Sequence, residues 1–266
     1  MGFGGAGRSS GARPGQGFTR GQKTAMIVAV GVALVVILLL THRITRFEII
    51  YFVVLIPSII LHEISHGVVA LWFGDDTAKR AGRLSLNPIR HVDPVGTLLV
   101  PAVLSLSGLG AYGWAKPVPV STNRLRSPRN QTVLVSLIGP VTNFALAAAF
   151  GVAFALTTPL AVRETVHQFG LGQYPDGSYD IPTLLGQVLF IAGFANIVLG
   201  VFNLIPCPPL DGASVLERFI PARYLPEYYR LTPVLMFLPF VLIFFFRSEW
   251  AALINHVITW WSGLLV

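Results

Sequence analysis

The stretch IIYFVVLIPSIILHEISHGVVALWFG, residues 49–74, decides the fold. It is apolar over a length sufficient to cross a bilayer, yet His62, Glu63 and His66 lie close together near its middle. A charged side chain at the centre of a membrane helix costs about 2.5–3.5 kcal/mol on insertion scales, so three ionisable groups together need compensation. A bound metal ion supplies it, and we therefore predict a metal site inside a membrane span rather than a purely structural polar cluster.

The composition of the whole chain is that of a membrane protein. Of its 266 residues, 53% are hydrophobic and only 12% are charged, which is about half the charged fraction of a soluble domain. The formal net charge is +7, but the basic residues lie in short segments between apolar runs, which is typical of topology determinants and headgroup contacts. We therefore expect the lipid bilayer, and no nucleic acid, as a partner.

Apolar runs recur along the chain and predict an all-α polytopic membrane protein. The runs cover residues 24–40, 49–73, 96–112, 132–156, 184–205, 232–246 and 251–266. We predict about six transmembrane helices, with a re-entrant loop or short β segment between the second and third, because Gly, Ser and Pro interrupt the run at 96–112. The last two runs are either two spans or one span and an interfacial helix.

Two regions are predicted from the distribution of these runs. Residues 1–23 are rich in Gly, Ser and Arg, cannot build a core, and are predicted to be a disordered cytoplasmic tail. Residues 24–266 are predicted to form a single membrane-embedded domain, since no segment between the apolar runs is long enough to fold alone.

The sequence HEISH, residues 62–66, fits the pattern H-E-x-x-H. On a helix, residues four apart lie on one face, about 6 Å apart along the axis. His62 and His66 can therefore share one zinc ion through their imidazole nitrogens. Glu63 lies beside them, where its carboxylate can take a proton from a water that the metal acidifies.

A third metal ligand must come from elsewhere in the chain, because catalytic zinc sites usually have three protein ligands and one open position. His91, Asp93 and Asp211 are the candidates near the ends of apolar runs. Asp211 follows a proline-rich stretch, NLIPCPPLDGA, which cannot continue as a regular helix, and unwound backbone at membrane depth lines a cavity or is buried in protein. This pattern favours Asp211, with an ordinary turn at PLDG as the alternative.

Five motifs occur in order between residues 49 and 212, namely HEISHG, NPIRHVDPVGTLLVP, GWAKPVPV, GPVTN and NLIPCPPLDG. At these residues the chain resembles the site-2 protease family of intramembrane zinc metallopeptidases, in a minimal, core-only form. The resemblance implies a metalloprotease domain with its catalytic core at about 49–212 and Glu63 as catalytic base. It implies that Asn143 binds substrate or the oxyanion, with a helix-packing amide as the alternative. The implied ligands of one Zn2+ ion are His62, His66 and Asp211.

Charge and geometry together predict the orientation of the site. Basic residues flank the run at 96–112 on both sides, so both flanks are expected in the cytoplasm by the positive-inside rule. HEISH and Asp211 both lie toward or beyond the C-terminal ends of their spans, so the two spans must run in the same direction to share one ion. We therefore expect a multi-pass protein of the cell membrane whose active site faces the cytoplasm.

These patterns predict an intramembrane zinc metalloprotease that hydrolyses peptide bonds in membrane-embedded or juxtamembrane segments, as in regulated intramembrane proteolysis. The resemblance implies a membrane-protein substrate, either a single-span protein or a signal-peptide remnant. The valines and prolines of GWAKPVPV can pair with an extended substrate as an added edge, or simply plug the cytoplasmic mouth. The first role makes Lys116, Pro117 and Val118 substrate-binding residues. The rival function is a zinc transporter or non-catalytic metal-binding membrane protein, which needs intramembrane His and Asp but not Glu63.

Overall fold

A computed structural model describes residues 46–100, 116–169 and 181–266, together with scattered residues between 25 and 37. The described residues form helices, turns and irregular segments, with no β-strand among them. The helices are α1 Arg46–Trp72, α2 Thr77–Arg80, α3 Pro128–Thr157, α4 Leu160–Phe169, α5 Leu184–Asn203, α6 Gly212–Phe219, α7 Leu225–Leu235, α8 Leu238–Phe245 and α9 Arg247–Gly263. Shorter helical turns lie at Pro88–Arg90, Pro94–Leu99, Thr122–Arg124 and Ala222–Tyr224.

Three of these helices, α1, α3 and α5, are long and apolar enough to cross a membrane. They contain 27, 30 and 20 residues, and at about 1.5 Å per residue each reaches across the roughly 30 Å hydrocarbon layer. The prediction of a helical membrane protein is therefore confirmed at this level. The finer prediction of about six spans is not confirmed and stays a prediction.

The other predicted apolar runs form shorter helices or lie partly outside the described residues. The run at 232–246 is divided between α7 and α8, with Pro239 in the first turn of α8, where a proline fits a helix start but could not continue an earlier helix. The run at 251–266 lies mostly in α9, which has 17 residues. Residues 116–121, the end of the predicted re-entrant or β segment, are irregular. The part at 101–112, the tail at 1–23 and most of the first run lie outside the described residues.

Two compact units divide the chain, one combining residues 1–41 and 93–114, the other residues 42–92 and 115–266. In the described part of the first unit, the turn Pro94–Leu99 begins at Asp93, whose carboxylate accepts hydrogen bonds from the backbone N–H groups of Val95 and Gly96 at 2.9 and 2.8 Å. Asp93 thus caps a turn. The single-domain prediction stays a prediction.

The second unit is built on the mutual packing of α1, α3 and α5. Its apolar core includes Phe154 of α3, Phe190 of α5 and Trp261 of α9, which are all nearly inaccessible to solvent. Small residues allow close approach between membrane helices, and the glycines of α3 and α5 serve this purpose where side chains of other helices lie directly over them. This packing brings the polar residues of α1 and α3 to one buried position, where the candidate site lies.

Candidate metal centre

Two different local structures deliver the predicted metal ligands. His62 and His66 lie one turn apart on the same buried face of α1, with 5% and 8% of their surface exposed. Asp211 follows the irregular residues 204–210 and stands at the start of α6, where its side chain makes no capping hydrogen bond. Gly212 has to be glycine, because a Cβ there would collide with the backbone carbonyls of Leu204 and Ile205. The chain therefore folds back tightly and leaves the Asp211 carboxylate available to other groups.

The three side chains converge on one point. The Nε2 atom of His62 lies 3.1 Å from Oδ2 of Asp211, and the Nε2 atom of His66 lies 3.4 Å from Oδ1. The two Nε2 atoms are 3.1 Å apart. Among the described residues, His62, His66 and Asp211 form a group whose ligand atoms all lie within 4.8 Å of one another. Of the other candidates, His91 has its Nε2 atom 2.8 Å from the carbonyl of Ser85, and Asp93 caps its turn.

The hydrogen bonds of the two imidazoles fit this group to a cation. Nδ1 of His62 lies 2.5 Å from Oδ1 of Asn143, and Nδ1 of His66 lies 2.6 Å from the carbonyl of Val135. Since both oxygens can only accept, each Nδ1 carries the ring proton, and each Nε2 presents a lone pair to the shared point. Two lone pairs and a carboxylate that face one another repel unless a cation lies between them.

The Asp211 carboxylate supports the same conclusion. Its Oδ2 atom is buried and has no hydrogen-bond donor, although it lies close to Nε2 of His62, because that nitrogen offers no proton. A buried anionic oxygen without a donor is costly. Two histidine nitrogens and one carboxylate oxygen are the ligand set of many catalytic zinc sites, and imidazoles held through Nδ1 are typical of them. The residues present therefore fit zinc.

Helix α3 closes directly over the two histidines through Gly139. A Cβ atom at this position would lie 2.5 Å from Cε1 of His62 and 2.5 Å from both Cε1 and Nε2 of His66. Real Cβ atoms do not approach other heavy atoms so closely. The glycine of the GPVTN motif therefore makes room for the imidazoles, while Asn143 of the same motif binds one of them. Asn143 is predicted to bind substrate or the oxyanion, and that role stays a prediction; in the structure its amide oxygen contacts Nδ1 of His62.

Among the described residues, Glu63 makes no hydrogen bond to Asp211 or to the Nε2 atoms of the two histidines. Its Oε2 atom accepts a hydrogen bond of 2.6 Å from the backbone N–H of Val118. Val118 is buried and lies in the irregular segment 116–121, which passes over α1 next to Gly67. The GWAKPVPV motif therefore fixes one oxygen of the predicted catalytic carboxylate.

Arg83 anchors this segment at its first residues. The buried guanidinium donates hydrogen bonds to the carbonyls of Lys116 and Pro117, at 2.5 and 3.1 Å, and to the carbonyl of Arg90. The N–H of Lys116 donates to the carbonyl of His91 at 2.8 Å. The main-chain groups of Lys116 and Pro117, two of the predicted substrate-binding residues, are thus hydrogen-bonded within the protein, as is the N–H of Val118.

Asp75 anchors the far end of the segment. Its carboxylate accepts a hydrogen bond of 2.5 Å from the N–H of Ser121 and further hydrogen bonds from the N–H and hydroxyl of Thr77. Burial opposes ionisation of Asp75, but these hydrogen bonds outweigh burial and lower the pKa of the carboxyl below its usual value. The segment that contacts Glu63 is therefore held by buried charges on both sides of Val118.

Sequence reasoning missed four residues that complete the centre. Two are Arg83 and Gly139. The others are Asn196, which accepts a hydrogen bond from Asn143, and Ser58, whose hydroxyl accepts one from Asn196. Ser58 and Asn196 carried a signal, since a polar side chain inside an apolar span needs a partner. Arg83 resembled the other basic residues of its loop, and Gly139 stood in the GPVTN motif with no local sign of which side chains would pack over it.

Comparison with known proteins identifies the family. The model of "Peptidase family M50" matches residues 50–246. The protein named "Putative zinc metalloprotease YwhC" from Bacillus subtilis (strain 168) is 41% identical over 169 residues, which are 64% of this chain and 68% of that protein. Rip2 of Mycobacterium tuberculosis (strain ATCC 25618 / H37Rv), named in the same way, is 32% identical over 206 residues, or 76% of this chain and 69% of its own length. Rip2 of Mycolicibacterium smegmatis is 30% identical over 161 residues, and this chain spans about half of it, 53%. No solved structure matches significantly.

Proposed function

The chain belongs to peptidase family M50 and is an intramembrane zinc metalloprotease, and from this premise we propose that His62, His66 and Asp211 hold its zinc while Glu63 acts as general base. The predictions of the family, the enzyme class and the cofactor are confirmed. One observation supports the assignment of roles: two imidazole lone pairs and a carboxylate meet at one buried point, with Glu63 on the next position of the same helix.

The chain's own residues divide the chemical work. Zinc, when bound, supplies a Lewis acid that polarises the scissile carbonyl and acidifies water. Val118 occupies Oε2 of Glu63, so Oε1 receives the proton of the attacking water and later returns it to the leaving amine. His62 and His66 keep their protons on Nδ1 throughout, because Asn143 and Val135 accept them there. Asn143 thereby positions a ligand, while its predicted contact with substrate or oxyanion stays a prediction.

The site is proposed to open toward the cytoplasm. His62 and His66 lie in the C-terminal half of α1, and Asp211 lies beyond the C-terminal end of α5. Two membrane helices whose C-terminal ends share one centre run in the same direction. The basic residues on both sides of the 96–112 run favour the cytoplasmic side for that end. About six spans, with a re-entrant segment between the second and third, remain part of the proposal.

The proposed substrate is a membrane-embedded or juxtamembrane segment, either of a single-span protein or of a signal-peptide remnant. Its scissile peptide has to reach the metal in an extended form, because helical carbonyls are already hydrogen-bonded. Lys116, Pro117 and Val118 are proposed to line its path. Since their other main-chain groups bind Arg83, His91 and Glu63 and the Val118 side chain is buried, the contact would use the exposed side chains of Lys116 and Pro117 and the carbonyl of Val118.

The test replaces Glu63 by Gln, which keeps the shape of the side chain and its hydrogen bond from Val118 but removes the base. Membrane proteomes of cells with the wild-type chain and with Glu63→Gln are compared for single-span fragments that accumulate. Glu164→Gln, a change at an exposed glutamate of α4, is the matched control. We expect fragments to accumulate only with Glu63→Gln, while its purified protein retains zinc. Cleavage that survives Glu63→Gln would refute proteolysis through Glu63, whereas zinc flux that the variant leaves intact would favour the rival transport function.

A further inference from the structure

A line of buried polar side chains leads from His62 away from the metal centre into the packing of α1, α3 and α5. Beyond its contact with His62, Asn143 donates a hydrogen bond of 2.8 Å from Nδ2 to Oδ1 of Asn196. Asn196 in turn donates from Nδ2 to the hydroxyl of Ser58 and to the carbonyl of Ala192, both at 2.9 Å. Asn143 and Asn196 are 0% exposed and Ser58 is 3% exposed.

The far end of this line has a fixed direction. The carbonyl of Ala192 can only accept a hydrogen bond. The Ser58 hydroxyl donates its proton to the carbonyl of Val54 at 2.7 Å, so its oxygen is left to accept from Asn196. Both neighbours therefore require the NH2 group of Asn196, and its amide oxygen must point the other way, toward Asn143.

The direction is transmitted to the metal ligand. With the oxygen of Asn196 facing it, Asn143 has to present its NH2 group to Asn196 and its own oxygen to His62. That oxygen requires a proton on Nδ1 of His62, which leaves the Nε2 lone pair for the metal. Had Asn143 been reversed, its NH2 group would favour the other tautomer, with the proton on Nε2 where the ion must bind.

We propose that Asn196 is a positioning residue of the zinc site, which selects the metal-binding tautomer of His62 through the amide of Asn143. The Asn196 side chain makes its hydrogen bonds to Asn143, Ser58 and Ala192 and not to a proposed metal ligand, and it acts from α5, the third helix of the packing. His66 has the same tautomer, and there the carbonyl of Val135 imposes it directly, because a carbonyl can only accept a hydrogen bond. His62 faces a side-chain amide that can point either way, and it needs the second amide to settle the direction.

The test measures zinc affinity of the purified full chain in detergent by competition with a chelator. Asn196→Leu removes both the donor and the acceptor at similar size and is expected to weaken zinc binding by about 10–100-fold, the usual effect of losing such a supporting contact. Gln187→Leu is the matched control, since Gln187 is a buried amide of the same helix that donates to the carbonyl of Ile181. It should bind zinc as the wild type does.

A rescue and a double variant distinguish positioning from loss of packing. Asn196→Asp, kept neutral by burial, retains one donor and one acceptor and should bind zinc more tightly than Asn196→Leu. The variant that combines Asn143→Leu with Asn196→Leu should be no weaker than Asn143→Leu alone, because Asn196 acts only through Asn143. The visible spectrum of the Co2+-loaded protein should change in Asn196→Leu and not in Gln187→Leu.

The outcomes separate this inference from the proposed function on which it rests. If Asp211→Ala leaves zinc affinity intact, the proposed metal site is wrong. If Asp211→Ala abolishes binding while Asn196→Leu binds zinc as tightly as wild type, only the role of Asn196 is wrong. Should Asn196→Leu fail to fold, Ser58→Ala takes its place; we expect a smaller loss of affinity in the same direction, and an unchanged affinity would overturn the inference.

Discussion

Replacing Gly139 by Ala adds one methyl group at the point where α3 meets the two histidines. The added carbon would lie 2.5 Å from three ring atoms of His62 and His66. Carbon atoms in favourable contact are about 3.5–4.0 Å apart, so the imidazoles or the helix must move by about 1 Å. The rings have little freedom to move, because Asn143 and Val135 hold them at Nδ1.

The size of the effect follows from this displacement. Metal–ligand distances in working sites hold to within about 0.2 Å, and a misplacement of about 1 Å can reduce catalysis by about 100-fold. That factor corresponds to about 2.7 kcal/mol. Alanine favours a helix over glycine by up to about 1 kcal/mol, so α3 itself is not weakened. We therefore expect Gly139→Ala to fold and to lose about 100-fold in zinc affinity and in proteolysis.

Gly151→Ala provides a matched control on the same helix. A Cβ there would meet Cδ2 of Leu265 at 2.9 Å and atoms of Trp261 at 3.4 and 3.5 Å, far from the metal ligands. The end of a leucine side chain can shift, so the zinc affinity should be that of the wild type. Both variants are compared by chelator competition and by thermal unfolding of the zinc-free protein. If Gly139→Ala bound zinc and cleaved substrate as Gly151→Ala does, the close approach of α3 to the histidines would be wrong.

Three further outcomes are expected. Arg83→Gln should release the segment that holds Val118 against Glu63, so proteolysis should fall by about tenfold or more. The zinc content, measured by atomic absorption, should stay at the wild-type level. A parallel loss of zinc would refute the idea that Arg83 supports Glu63 and not the metal ligands. Asp75→Asn should lower the unfolding temperature at neutral pH, because a carboxyl whose pKa is lowered on folding stabilises the folded state at pH values above its unfolded pKa. This advantage should be lost as the pH falls through the folded pKa, which lies below the ordinary value of an aspartate, and an equal difference in unfolding temperature at every pH would contradict the reasoning. Chelation should abolish proteolysis and added zinc should restore it; activity that persists after verified removal of the metal would exclude a catalytic metal.

Several features of the site were within reach of the sequence because they depend on local geometry. Residues four apart on a helix share a face whatever surrounds them, so HEISH alone placed His62 and His66 together. The apolar runs predicted the three long helices, since an isolated backbone in lipid has to satisfy its own hydrogen bonds. The proline-rich stretch before Asp211 predicted the broken helix end. Less was predictable around the apolar run at 96–112, which Gly, Ser and Pro interrupt. A re-entrant loop or a short β segment was predicted there, and residues 116–121 are irregular.

The sequence by itself determined that the chain lies in a membrane and that His62, His66 and the Glu63 carboxylate share one helix. It could do so because hydropathy and helical periodicity act within a single element. Only the tertiary structure decided what Gly139, Val118 and Asn196 do. Each matters through a contact with another element. Gly139 makes room for the histidine rings of α1, Val118 donates to the Glu63 carboxylate, and Asn196 accepts from the Asn143 amide. Such contacts arise from the packing of helices that are distant in the chain, and no local pattern specifies which atoms packing will bring together.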